Sequence, residues 1–161
     1  MPEEFRVKEL IITWHDKSCA ETDIFSSFVF SWFCFNAWIE LNSNKDTDAG
    51  MMKELTEQSR QHAELVNAFQ ELETDEVFKQ HLSILTANCP IYDQRGLKEP
   101  LIIKDERDFE NIVWAIYRIR CNLFHGGKNA GDPRDQLLVT HAGAILQIWI
   151  SELVKKWEIN T

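Results

Sequence analysis

The segment Tyr117-Arg-Ile-Arg-Cys-Asn-Leu-Phe-His-Gly-Gly-Lys128 gathers two guanidiniums, an amide, an imidazole and an ammonium within twelve residues. Such a set suits attack on a phosphodiester. Imidazole takes and gives protons near pH 7, and arginine offers a planar fork of donors to the charge that develops on a phosphorane. That chemistry needs no metal. The usual ligand patterns are also missing: no histidine has Glu three residues before it, and H-E-x-x-H, the P-loop and G-x-S-x-G are absent. Neither a metal nor another cofactor is expected. Residues 118 to 134 carry Arg118, Arg120, Lys128 and Arg134 against Asp132 alone, a net +3 in a chain of net −9. The candidate catalytic groups are Arg120, His125, Asn122 and Arg118, with Lys128 and Arg134 as candidate substrate-binding cations. A helix-terminal histidine beside solvated arginines is the competing reading from residue types alone.

On a helix, Arg118, Asn122 and His125 fall within about 60° of one another, whereas Arg120 stands about 140° from His125. Arg118 is thus the better partner for His125 within one helix. Arg120 would meet His125 across a subunit boundary or after the helix has unwound. The helix terminus favours a protonated imidazole, and the flanking arginines oppose it.

The elements that must position these groups read as helices. Thr22 and Asp23 are good caps before Ile24, and Phe25, Phe28, Trp32, Phe35 and Ile39 recur at helical spacing to about Asn42. With Val29, Phe30, Phe33 and Trp38 on its other sides, this helix must be buried on more than one side. Asn36 inside it is expected to be a hydrogen-bonded anchor, because an unpaired buried amide is costly. After a polar loop, Asp48 can cap a second helix over about Met51 to Leu72, striped by Leu55, Leu65, Val66, Phe69 and Leu72. Glu40 to Glu76 carry ten acidic and three basic residues, which read as a solvated face that nucleic acid avoids.

Asp75 opens a third helix to about Ala87, and Pro90 to Pro100 is loop. Asp105 can cap a fourth helix, carried by Phe109, Ile112, Val113, Ile116, Ile119 and Leu123 into Gly126-Gly127, with His125 in its last turn. Asp132-Pro-Arg-Asp135 opens a fifth, through Leu137, Leu138, His141, Ile145, Ile148 and Trp149 to about Trp157. Trp32, Trp38, Trp114 and Trp149 are expected in the core, and His141 reads as a satisfied core histidine. The sum is an all-α, up-and-down bundle of about five helices, a single domain over 1–161 with its core at about 22–157. The residues before Thr22 fit either a helix or an extended arm.

At 161 residues, 44% hydrophobic and 27% charged, the chain has ordinary globular composition and enough length to bury a core without staples. Its net charge counts against a broad DNA- or membrane-coating surface, so neither a membrane nor DNA-specific contact is expected. The apolar run from Ile24 to Leu41 is interrupted by Ser26, Ser27, Ser31, Asn36 and Glu40 and reads as a buried helix rather than a membrane span. Cys19, Cys34, Cys89 and Cys121 show no C-x-x-C spacing, and the first residues lack a secretory pattern. A cytoplasmic location is expected.

Arg120-Cys-Asn-Leu-Phe-His-Gly-Gly-Lys128 resembles the R-x4–6-H signature of HEPN domains, in the branch that reads close to R-N-N-L-F-H-G-G-K. Trp32-Phe-Cys-Phe-Asn-Ala37 resembles that branch's first-helix Asn motif, and Asp132-Pro-Arg-Asp-Gln136 its last-helix opening. The resemblance runs from about Phe25 to Leu153. It implies a helical bundle that dimerises through the motif helices around a composite cleft, with Arg120 as signature arginine, His125 as signature histidine and Asn122 between them. Arg118 also satisfies an R-x6-H spacing. Cys121 stands where active members usually carry Asn, Asp or His. Many HEPN proteins are metal-independent endoribonucleases of toxin–antitoxin, phage-defence or RNA-processing systems, and others are non-catalytic binding modules. The partners this implies are a second copy of the chain, RNA or a nucleotide, and an inhibitor or antitoxin protein.

Overall fold

A computed structural model describes residues 2–126 and 131–159. Among them the chain is all-helical, with seven α-helices and two 3-10 turns and no β-strand. The helices are α1 (Pro2–Ala20), α2 (Ile24–Asn42), α3 (Asp48–Thr56), α4 (Ala63–Glu71), α5 (Glu76–Ala87), α6 (Phe109–Phe124) and α7 (Pro133–Ile159).

Two departures raise the count above the expected five. Residues before Thr22 form α1, which buries Ile11 against α2 and extends the core toward the N-terminus beyond residue 22. The helix expected over 51–72 breaks after Thr56. Gln58 takes a left-handed φ of 55°, its N–H bonds Leu55 O at 2.9 Å, and Ser59 N–H bonds Glu54 O at 3.2 Å. That is a Schellman-type stop at a residue other than the usual glycine. A buried cluster holds it: Glu54, only 7% exposed, accepts from Ser43 Oγ, from Gln61 Nε2 at 3.1 Å and from His62 Nε2 at 3.2 Å. Burial pushes the Glu54 carboxyl up in pKa, but the hydrogen bonds from Ser43, His62 and the Asn44 backbone outweigh it and hold the group below its usual value. Glu54 therefore does not belong to the solvated acidic face expected there.

The caps move by one to three residues in two places. Thr47, not Asp48, caps α3 by accepting from Gly50 N–H, and Asp108, not Asp105, caps α6 through Asn111 N–H. Asp23 and Asp75 cap α2 and α5 as the sequence predicts. Asp132 accepts Arg134 N–H at 2.8 Å just before Pro133 opens α7.

The core is aromatic at its centre. Phe35 and Phe69 each lie 5.0 Å from Trp149, and Trp149 donates to Leu65 O at 2.8 Å. Trp32, Trp38 and Trp149 are buried, as expected, but Trp114 is only half-buried. By length and composition alone both α2 and α7 could cross a membrane; here they bury Phe28, Phe35, Ile145 and Trp149 in the common core. His141 on α7 meets His81 on α5, with Nδ1 to Nδ1 at 2.9 Å. Asn36 Oδ1 is buried without a hydrogen-bond partner among the described residues, so its expected role as a satisfied anchor is not met.

Candidate functional site

α6 carries the charged motif because its apolar residues fall on one side. Phe109, Ile112, Val113, Ile116 and Ile119 are buried, leaving Arg118, Arg120 and Cys121 at the half-buried edges and Phe124 and His125 exposed at the end. The helix stops at His125, whose N–H still bonds Cys121 O at 3.0 Å. Gly126 follows with φ of 75°, a conformation that suits glycine and turns the chain away. The imidazole thus stands at the rim of a helix C-terminus, open to solvent.

Arg120 is held by two kinds of contact. Its guanidinium carbon lies 4.5 Å from the centre of the Phe124 ring, 5.6 Å from Trp32 and 5.8 Å from Tyr117. Its Nη2 meets Asp48 Oδ2 at 3.1 Å, and Nη1 donates weakly to Cys121 Sγ at 3.7 Å. The side chain is 18% exposed, and its Nε is buried without a partner among the described residues. Tyr117 beside it is pushed up to a pKa of about 12, first by burial and then by the neighbouring Cys121, so its phenol stays protonated. The arrangement is an arginine surrounded by three aromatic rings with a carboxylate on one edge.

The other polar residues of the motif converge elsewhere. Arg118 Nη1 donates to Ile91 O at 3.0 Å and Glu99 O at 2.7 Å. Asn122 is 3% exposed and uses both ends of its amide on the same loop, accepting Gln94 N–H at 3.0 Å and donating to Tyr92 O at 2.9 Å. Arg134 Nη2 donates to Asn88 O at 2.9 Å and Pro90 O at 2.8 Å. With the antiparallel bridge between Ile91 and Leu101, these contacts turn 88–101 into a pinned loop.

The structure therefore brings Arg120 and His125 to one helix end but gives Arg118, Asn122 and Arg134 a different occupation. Helical geometry makes Arg118 the closer partner of His125, but in the structure its guanidinium is spent on main-chain oxygens. Lys128 lies outside the described residues. Asp48 and the ring of Trp32 are site residues that sequence reasoning missed, Asp48 having been read as a cap within a solvated acidic stretch. The 88–101 loop was missed as well, since nothing local marks a carbonyl as the destination of an arginine.

Among the described residues no three His, Cys, Asp or Glu side chains gather as a metal site would require. Comparisons with protein-family models, with curated proteins and with solved structures find no match to this chain.

Proposed function

We propose that this chain is a metal-independent endoribonuclease of HEPN type, an up-and-down bundle working in the cytoplasm as a homodimer joined through α6. The observation that carries this reading is Arg120: an arginine oriented by three rings, already holding an anionic oxygen at 3.1 Å, on the same helix end as the open imidazole of His125. In the reaction His125 takes the proton of the RNA 2′-hydroxyl and then delivers a proton to the leaving 5′-oxygen. The 2′-oxygen bonds to phosphorus, the 5′-oxygen leaves, and a 2′,3′-cyclic phosphate remains. Arg120 replaces Asp48 by the phosphate and neutralises the phosphorane.

The helix angle supports the dimer, because the two side chains diverge by about 140° around α6 and meet best when a partner's helix faces them. Trp114, Tyr117, Cys121 and Phe124 supply the seam, a stripe at spacings of three and four of which none is fully buried. An inhibitor or antitoxin protein fits a toxin or phage-defence role for such an enzyme.

A non-catalytic HEPN module that binds RNA, nucleotide or protein is the second reading. The Asp48–Arg120 pair favours it, since the arginine is largely covered and its charge is met within the chain. Incubation of wild type and His125→Ala with a mixed RNA pool in EDTA decides. Cleavage that yields cyclic phosphate ends and drops by more than about tenfold in the variant supports the nuclease. RNA left intact by both proteins selects the binding module.

A further inference from the structure

We propose that the loop from Tyr92 to Lys98 is a binding platform for single-stranded RNA, in which the Tyr92 ring stacks on a nucleobase and Arg95 and Lys98 meet the adjoining phosphates. The proposal rests on the ribonuclease reading and names where the strand lies beside its cleavage site.

The loop is fixed by its main chain and not by its side chains. Arg118, Asn122 and Arg134 grip the carbonyls of Asn88, Pro90, Ile91, Tyr92 and Glu99 and the N–H of Gln94. The apex is closed by Asp93, which accepts from Arg95 N–H at 3.2 Å and Leu97 N–H at 3.1 Å. Burial would raise the Asp93 pKa, but these two N–H groups and the charges of Arg95 and Arg118 hold it below the usual value. Arg95 Nε also lies 3.7 Å from Asp93 Oδ1 at the exposed apex, a loose ion pair that a phosphate would have to share.

What faces out is unusual for such a well-held segment. Tyr92 is 54% exposed and Leu97 73%, and Arg95 and Lys98 are exposed beside them. A rigid backbone presenting an uncovered ring has already lost the conformational entropy that binding would otherwise cost.

Charge decides which occupant fits. Arg118 and Arg134 give their hydrogen bonds to neutral carbonyl oxygens, and of the nearby carboxylates Asp93 feels the charge of Arg118. Arg95 and Lys98 add two more positive charges above the loop, against Asp93 and Glu99. On a chain of net −9 this is a local positive field with an aromatic surface in it, which matches a polyanion carrying flat bases. Position agrees as well. Asn122, which holds the Tyr92 carbonyl, lies one helical turn before His125, so a base on Tyr92 belongs to a nucleotide neighbouring the scissile phosphate.

Fluorescein-labelled octauridylate and the same strand without bases distinguish stacking from charge. The measurement uses a His125→Ala background, which stops cleavage. There Tyr92→Ala weakens octauridylate binding about tenfold, Tyr92→Phe leaves it within about twofold, and neither change alters binding of the abasic strand. Thermal midpoints should stay level, because the gripped group is the carbonyl and not the ring. Equal loss on both strands, or no loss with Tyr92→Ala, overturns the platform. So does a result in which Leu97→Ser alone disrupts an assembly with protein while Tyr92 has no effect on RNA. If wild type cleaves RNA but the background variant binds neither strand, the platform fails and the nuclease stands. If wild type neither cleaves nor binds, both readings fail.

Discussion

Arg118 and Arg120 stand two residues apart on α6, and their guanidiniums end on different chemistry. Arg118 reaches two main-chain carbonyls of the 88–101 loop, while Arg120 lies among three aromatic rings with a carboxylate on its edge. The carbonyls are neutral and part of the fold, so releasing them would release the loop. Asp48 is a charged side chain, 37% exposed, on a different helix. A phosphate can displace it without unfolding anything. The same residue type therefore serves architecture at one position and a replaceable anion contact two residues later, and the difference lies wholly in the partner.

The sharpest way to break that contrast is to remove each arginine and read activity and stability separately. Arg120→Ala is expected to lower RNA cleavage about a hundredfold, as loss of one preorganised donor to a developing charge commonly does, while melting stays close to wild type. Arg120→Lys should recover little, because a point charge cannot copy the fork. Mixing inactive Arg120→Ala with inactive His125→Ala should restore part of the activity, since some heterodimers assemble one intact cleft. If Arg118→Ala proves the more damaging change to cleavage, with stability untouched, the contrast is reversed.

The next effect falls on the loop. Asn122→Ala strands the part-buried Gln94 N–H and Tyr92 carbonyl and empties the buried Asn122 site, and it should cost about 2 kcal/mol of folding stability, more than Arg118→Ala. Denaturant unfolding measures both. Hydrogen exchange at Gln94 should rise in the Asn122 variant, and an unchanged rate would mean that the bridge between Ile91 and Leu101 holds the loop unaided.

How much of this could be read from the chain divides along the same line. The helix starts at Asp23 and Asp75, the Pro-opened α7 and the exit at Gly126 are local events, decided by a capping oxygen or a φ angle. Periodicity within 16 residues was enough to place α6 and its motif. Other features are non-local. The break at Gln58 needs Glu54 to collect donors from Ser43, Gln61 and His62, and the pairing of Asp48 with Arg120 spans 72 positions. A run of acidic residues gives no sign of which member turns inward. Helical angles placed Arg118 near His125, but they carry no information about a loop 19 to 27 residues earlier.

Asp48→Asn is a milder test of the exchangeable contact. The pair is partly exposed, so its loss should change stability by less than about 1 kcal/mol. RNA affinity should rise, because Arg120 no longer gives up an ion pair to take a phosphate, and the gain should shrink as salt is raised. Weaker RNA binding in Asp48→Asn would instead make the carboxylate a positioning group that holds the fork in place.

The smallest effect separates the site from the rest of the fold by pH. Burial lowers the pKa of His81, and burial together with the charge of His81 lowers that of His141. Their Nδ1 atoms lie 2.9 Å apart, so two protonated rings would repel across the α5–α7 contact. An unfolded histidine titrates near 6.5, and below that value the unfolded chain binds protons that the folded pair resists. Their contribution is therefore complete above about pH 6.5 and declines as pH falls through the lowered folded values. His15, lowered by burial against the opposing charge of Asp16, adds in the same direction. The lowered carboxyl of Glu54 acts only below the ordinary carboxylate range, so the interval from about pH 6.5 to 5 isolates the histidines. Melting temperature should sag over that interval, and His81→Asn with His141→Asn should remove the part of the slope that His15 does not supply. The pH profile of cleavage should be unmoved by the same pair of changes, because neither histidine is on α6. A cleavage profile that shifts with His141 would tie α5 and α7 to the chemistry and erase the separation between the scaffold and the site.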